Sequence, residues 1–567
     1  MNQIKPKKIF LAFLLIFTIL TVQSQSNNPT LKEWQDHKFS MFIHWGLYSI
    51  PAGFWNGQKI DRYSEQLQGH ARISNEEYGK LASKFNPVKW NADSVALLAK
   101  KAGMKSIIIT SKHHDGFSMF HTKYSEYNVL DATPYKRDVI KELSESCKEY
   151  GLKFGIYFSL IDWNFPGALP FSSTKNSDSI PPLHHDFNLH QVGELMSNYG
   201  DISEIWFDMG SPTFQQSKEL RDLIKKLQPN CLINGRLWNN QGDFAVMGDN
   251  SLPKTKMGVP WQTPASMFDE TWGYRSWQER GNVDEKVIDK IEDLIKVVSL
   301  GGNYLLNIGP TGDGDIVPFE KEVLIKMGIW VRENGEAIYE TKASQLPSQN
   351  WGYITQKPGK IYLHVFKFSK DNKLVINGLE AVINKVYLLN QHEQQFKFSK
   401  KKNAISIDLN LKNTDQLPKV LVIDYQGELI LKHSILVKPS GKGQYQLTAA
   451  NAEKYYSYSG HDYYSNRPVV VKMGWNIPAT KATNCKIKLY YTPKDSDKEL
   501  KLKVNGKDYS ITLPILTKQT ENNQMIYELD NIELPANQQI TIRLSNKEEY
   551  PAKALELDEV KILVRIN

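Results

Sequence analysis

Several short apolar runs in this chain end in side chains that can do chemistry. Ile205-Trp206-Phe207 leads into Asp208, with Gly210 two residues on. Residues 39–43 lead into His44 and Trp45, and residues 106–110 lead towards His113 and His114. Tyr157 stands near the end of 153–158, and Arg236 closes 231–236. Short apolar runs bounded by glycine or polar residues read as buried parallel strands. In a barrel of such strands, the residues at the C-terminal ends face one common site. A carboxylate there, walled by Trp206, serves as nucleophile, base or metal ligand. Helix capping accounts for one polar strand end, not for five or six. Carboxylates, neutral histidines, an arginine and tryptophans together make a surface suited to a sugar. Aromatic faces pack on its C–H face, and His, Arg and Asp satisfy its hydroxyls. Cutting a glycosidic bond then takes two carboxylates, about 5–5.5 Å apart in a retaining enzyme.

The elements that must position these residues alternate. A helix over 92–102, stopped by Gly103, precedes the strand at 106–110, and a helix over 139–150, stopped by Gly151, precedes 153–158. A helix over 188–198, stopped by Gly200, precedes the Asp208 strand, and a helix over 217–227, stopped by Pro229, precedes 231–236. A helix over 283–300, with Val287, Ile291, Leu294 and Val298 on one face, ends at Gly301-Gly302 before a strand at 303–309. This alternation implies a parallel sheet, and so many units over roughly 300 residues favour a (β/α)8-like α/β barrel over an open sheet. The barrel is expected over 25–342. Beyond it, strand patterns at 361–366 and 419–423, with turn signals Asn377-Gly378 and Gln426-Gly427, predict a β-sandwich over 343–438. Pro439 to Gly443 reads as a linker. A second all-β sandwich follows over 445–567, with a hairpin at 502–509 whose Asn505-Gly506 suits a type I′ turn. Its aromatics Tyr455, Tyr456, Tyr458, Tyr463, Tyr464 and Trp475 read either as a carbohydrate-binding face of a galactose-binding-like module or as ordinary sandwich aromatics.

Composition narrows the class. Of 567 residues, 41% are hydrophobic and 23% charged, the balance of a soluble globular protein with several domains. Residues 1–24 read as a signal peptide: Lys5, Lys7 and Lys8, an apolar run over 9–17, then Val22-Gln23-Ser24 as a cleavage site. The run is too short for a membrane anchor, so an exported protein, periplasmic or extracellular, is expected. The formal charge of +8 falls to about +5 without the three leader lysines, too little to argue for a nucleic-acid partner. Cys147, Cys231 and Cys485 are too few and too scattered for a disulfide framework or a cysteine-based zinc site. His113-His114-Asp115 admits a metal-site reading. Neighbours on a strand point to opposite faces, so both histidines reach one ion only where the strand has already ended. Sugar contact is the preferred role, and no metal or cofactor is expected. Nothing in the sequence indicates the oligomeric state.

Five segments, FIHWGLYSIPAG, SKHHDGF, EIWFDMG, ETWGYRSW and VVSLGGNYLLNIGPTGDG, occur in that order over about 39–314. On these the chain resembles the α-L-fucosidases of glycoside hydrolase family 29. The resemblance implies a barrel followed by a β-sandwich. It also implies an exo-acting retaining hydrolase that needs no cofactor and releases α-linked L-fucose from fucosylated glycans. Asp208 matches the family's nucleophile, and His44, Trp45, His113, His114, Tyr157, Trp206, Arg236 and Trp272 are expected at the substrate. Glu65 falls where many members read Glu-Trp, and Gln66 stands here in place of the tryptophan. The acid/base does not transfer directly. Gln262 replaces a glutamate common before the WGY segment and cannot donate a proton as an acid. Glu270 is the expected acid/base, with Asp269 as the alternative. A non-catalytic fucose lectin on a barrel scaffold and a metal-dependent hydrolase using His113 and His114 are the competing readings.

Overall fold

Eight parallel strands carry the residues singled out above: β1 (Phe39–Ile43), β2 (Ser106–Lys112), β3 (Lys153–Ser159), β4 (Ile202–Asp208), β5 (Leu232–Ile233), β6 (Ala245–Val246), β7 (Trp261–Ser266) and β8 (Asn303–Ile308). They pair in the order β5-β4-β3-β2-β1-β8-β7-β6. A parallel bridge between Asn234 and Phe244 joins the two end strands, so the sheet returns on itself as a (β/α)8-like barrel. The structure is a computed structural model. It describes residues 29–566 apart from 173–177, 254–256, 270, 345, 347–348, 370, 378, 402–403, 410–415, 432–435, 441–442, 458–468, 480–481, 516–523, 537 and 548–559. The leader, 1–24, lies outside the described residues.

Seven helices of eight residues or more stand among the described residues: α1 (Pro29–His37), α2 (Ala92–Ala102), α3 (Val139–Tyr150), α4 (Pro182–Asn198), α5 (Phe214–Leu227), α6 (Val283–Ser299) and α7 (Pro318–Asn334). Capping explains their bounds. Asn91 and Asp138 accept from the N–H groups of Ser94 and Lys141 at the starts of α2 and α3. Gly103 and Gly151, at φ +89° and +70°, close those helices in the left-handed conformation that glycine adopts without strain. The helix expected from residue 188 begins at Pro182, because proline fits the first turn, where its missing N–H has no intrahelical role.

Two strands of the barrel, β6 and β7, add to the six expected. No α-helix stands between β5 and β6, or between β6 and β7, among the described residues, so the alternation that reveals the other strands stops there. The expected strand at 231–236 is also shorter: β5 ends at Ile233, and Arg236 sits in a 3-10 turn, Gly235–Leu237. Packing divides into two layers, as the period of two along a strand requires. On β4, Ile205 and Phe207 join the large core between sheet and helices, while Trp206 faces inward with Phe42, Ile108, Tyr157, Phe244, Trp272 and Leu305.

The two β modules follow. A six-stranded and a three-stranded sheet, both antiparallel, occupy Lys342 to Leu431 around their own core. A four-stranded and a five-stranded sheet occupy Gln444 to Ile566 around another. The predicted hairpin pairs Glu499–Val504 with Lys507–Thr512, and Asn505 and Gly506 both take positive φ, +47° and +89°, as a type I′ turn demands. Trp475 is core in this module, with its indole N–H donating to the Thr448 carbonyl, so it belongs to no binding face. Tyr458, Tyr463 and Tyr464 lie outside the described residues. Cys147, Cys231 and Cys485 are free and buried.

Candidate active site

Strand register places the side chains. Tyr157 of β3 pairs with Trp206 of β4, and Ser159 with Asp208. Phe42 of β1 pairs with Asn307 of β8. The strand ends therefore converge on a cavity of about 220 Å³, room for one sugar ring and below the ~300–1,000 Å³ that drug-sized ligands fill. Its wall includes His44, Glu65, His113, His114, Tyr157, Trp206, Asp208, Arg236 and Trp272, nine of the twelve residues nominated from the sequence, alternative included.

Asp208 is the best-held group in it. Its Oδ2 accepts from the Tyr157 hydroxyl at 2.8 Å and its Oδ1 from Arg236 Nη1 at 2.7 Å. His114 Nε2 stands 3.9 Å from Oδ2. Burial alone would raise this carboxyl. Arg236, His114 and Tyr157 outweigh it and hold Asp208 below its ordinary value, so it is ionised at neutral pH. The Arg236 guanidinium lies over the Trp206 ring, 4.8 Å from its centroid. Directly after Asp208 the chain turns sharply, with Met209 at φ +58° and Gly210 at φ +78°.

The three histidines are neutral. Burial lowers His44 to about 3 against its opposing hydrogen bond to Asn307, and lowers His114 to about 4 against the opposing charge of Asp208. His113 is driven well below its ordinary value by burial and then by the two neighbouring histidines. Their tautomers follow from the network behind them. Asn307 donates its amide to the Trp272 carbonyl at 2.7 Å, which turns its Oδ1 to His44 Nδ1 at 2.7 Å. Ser159 donates its hydroxyl to the Ile161 carbonyl, which leaves its oxygen to accept from His114 Nδ1 at 2.8 Å. Both rings thus hold the proton on Nδ1 and keep Nε2 as an acceptor.

Glu65 works differently. Its Oε2 accepts from the backbone N–H groups of Trp272 and Gly273 at 3.1 and 2.9 Å, so it fixes the segment that carries Trp272. Burial pushes its carboxyl up to about 7 in spite of those bonds. Its Oε1 is buried without a protein partner and faces a ligand-sized space. Gln66 lines the same cavity, at the position where the family tryptophan was missed.

Two nominated residues stand elsewhere. Trp45 is wholly buried outside the cavity: its ring stacks on Trp90 at 4.5 Å and its indole N–H donates to the Thr311 carbonyl at 3.0 Å. It therefore supports the strand end instead of touching substrate, because neighbours such as His44 and Trp45 point to opposite sides. Asp269 is exposed, and its carbonyl accepts from Arg275. Glu270 lies outside the described residues. Gln262 is buried in the barrel, accepting from Trp206 Nε1 at 2.9 Å and facing Glu204 at 3.4 Å. Asp115, next to the histidine pair, turns away to accept from Tyr78 at 2.9 Å. The sequence reading missed Phe42, Met209 and, above all, Asp249, a carboxylate in the wall whose Oδ1 accepts from Arg236 Nη2 at 2.6 Å. A two-residue β6 without a preceding α-helix gave no signal for it.

An ionised carboxylate held by an arginine and a tyrosine, beside neutral histidines and aromatic walls, can attack the anomeric carbon of a bound sugar. Comparison with known proteins bears on which sugar. A family model described as alpha-L-fucosidase matches residues 19–336. Human plasma alpha-L-fucosidase is 30% identical over 420 residues, 68% of this chain and 88% of that protein. An alpha-L-fucosidase from Vibrio sp. strain EJY3 superposes with a TM-score of 0.67 at 29% identity, covering 95% of this chain and 98% of that one. A GH29 alpha-L-fucosidase from Bacteroides thetaiotaomicron, solved as a trapped covalent intermediate with 2-fluoro-fucosyl fluoride, superposes with a TM-score of 0.65 at 28% identity, covering 71% and 97%.

Proposed function

We propose, for a chain that belongs to the α-L-fucosidases of glycoside hydrolase family 29, that it is an exo-acting retaining hydrolase releasing α-linked L-fucose from fucosylated glycans. The observation that carries this reading is Asp208, ionised at the end of β4 and held by Arg236 and Tyr157 at the wall of a one-sugar cavity. In the first step Asp208 attacks the anomeric carbon while the glycosidic oxygen leaves with a proton from an acid. In the second, water attacks the same carbon, gives up a proton to that group, and frees Asp208. His44 and His114 take sugar hydroxyls on Nε2, and Trp206, Trp272 and Phe42 present apolar surface to the C–H face and the methyl group.

The sequence reading assigns the proton to Glu270, with Asp269 as the alternative. Its support is their position two or three residues before Trp272, whose ring lines the cavity. Export is read from residues 1–24, and no helix among the described residues is long and apolar enough to cross a membrane. The C-terminal module is read as a glycan tether.

The test is chemical rescue. The wild type should release L-fucose from an aryl α-L-fucoside, with or without chelator. Asp208→Gly should lose turnover, and azide should restore it as β-fucosyl azide. Full activity in Asp208→Ala would overturn the assignment.

A further inference from the structure

Asp249 is a second carboxylate in the wall of the cavity that holds Asp208. It follows β6, and the segment around it continues that strand along β7. Met247 N–H donates to the Gln262 carbonyl and Asn250 N–H to the Pro264 carbonyl, both at 3.0 Å. Asn250 Oδ1 in turn accepts from Ser266 N–H at 2.7 Å and from the Ser266 hydroxyl at 3.1 Å. Asp249 is thus fixed at a barrel strand end, like His44, Tyr157 and Asp208. One guanidinium spans it and Asp208, with contacts of 2.6 and 2.7 Å. That fork geometry bounds the separation of the two contacting oxygens at roughly 8 Å, a range that includes the ~5–5.5 Å of retaining enzymes. The Asp249 side chain is 38% exposed against 13% for Asp208, so it lies nearer the opening, where the leaving group must depart.

We propose that Asp249 is the acid/base of the double displacement, in place of the sequence-derived choice of Glu270 or Asp269. This rests on the fucosidase reading above. Asp208 is the more deeply buried of the two and is held by both Arg236 and Tyr157, which suits the nucleophile; Asp249, nearer the opening, is placed to pass a proton to the leaving oxygen. As Asp208 forms its bond to the anomeric carbon, the glycosidic C–O bond breaks and the Asp249 proton moves to the leaving oxygen. Asp249, now a carboxylate, takes a proton from water as that water attacks the anomeric carbon and the ester bond to Asp208 breaks. Asp249 ends protonated and Asp208 ionised, as they began.

The experiment compares Asp249→Ala, Asp249→Asn, Asp269→Ala and Glu270→Ala on a fucosylated disaccharide and on an activated aryl fucoside. An acid is needed most when the leaving group is poor. Asp249→Ala is expected to lose about 10²- to 10⁴-fold on the disaccharide and under tenfold on the aryl fucoside. Azide should accelerate it and give α-fucosyl azide, the retained product. Asp249→Asn, which keeps an oxygen for Arg236, should show the same loss on the disaccharide. Equal losses on both substrates without an α-azide product would make Asp249 only a prop for Arg236 and overturn the proposal. So would the full signature appearing in Glu270→Ala or Asp269→Ala and not in Asp249→Ala. Failure of the fucosidase reading itself is separate: the wild type would release no fucose from either substrate.

Discussion

Replacing Arg236 by methionine tests how Asp208 is kept ionised. The Arg236 side chain is 8% exposed and that of Asp208 13%, so their 2.7 Å pair is largely shielded from water. Removing one partner of a buried pair costs about 3–5 kcal/mol, because the charge left behind has lost both water and counter-ion. The partly solvated Asp249 end adds little to that figure. If the loss falls on the attacking step, kcat/KM at neutral pH drops about 10²- to 10⁴-fold, at 1.36 kcal/mol per tenfold. The pH dependence has a definite sign. Burial raises the Asp208 carboxyl, and Arg236 is the largest of the groups that bring it below 3.8. Without the guanidinium, burial is opposed only by His114 and Tyr157, so the acid limb of kcat/KM moves to higher pH. In the wild type the depressed carboxyl contributes stability above its unfolded value of about 3.9, lost as pH falls through the folded one. The variant should lack that contribution. The assay is kcat/KM for an aryl fucoside from pH 3 to 8, with thermal unfolding over the same range. An unmoved acid limb, or a loss under tenfold at pH 7 in folded protein, would refute the role given to Arg236.

Tyr157→Phe removes the 2.8 Å donor to Asp208 and should lower kcat/KM about 10- to 150-fold, from ~1.5–3 kcal/mol for a hydrogen bond to a charged group; unchanged steady-state kinetics would show that the bond is absent in the reacting state. Glu65→Gln should keep the acceptor for Trp272 and Gly273. Because burial raises Glu65 to about 7, its contribution to wild-type stability is full below the unfolded value near 4.5 and is lost as pH rises through 7. The melting temperature of the wild type should therefore fall relative to Glu65→Gln between pH 4.5 and 7, and parallel curves would contradict the burial argument. Truncation after Gly443 removes a module that meets the barrel where Gly258 N–H donates to the Tyr456 carbonyl at 2.8 Å. None of the module's described residues lines the cavity, so turnover of a small aryl fucoside should fall no more than about tenfold. A larger loss in a folded truncation would mean that the module completes the active site.

The sequence by itself determined the periodic part of the molecule. A helix, a glycine stop and a short apolar strand leave a trace wherever they recur, and the residue at the end of such a strand is named by the pattern. That is why Asp208, Tyr157, His113 and His114 were legible, and why Asn505-Gly506 located its hairpin. The sequence said nothing of β6, because a two-residue strand without an α-helix before it has no period to detect. Asp249 was lost with it. Tertiary structure alone decided which face each neighbour takes: His44 enters the cavity, while Trp45 turns out to stack on Trp90. It alone turned Gln262 into a partner of Trp206 and Glu65 into an anchor for a segment some 200 residues away. Local propensity fixes an element and its alternation. The closure of the sheet through Asn234 and Phe244 fixes which strand ends meet, and that meeting puts one arginine between two carboxylates.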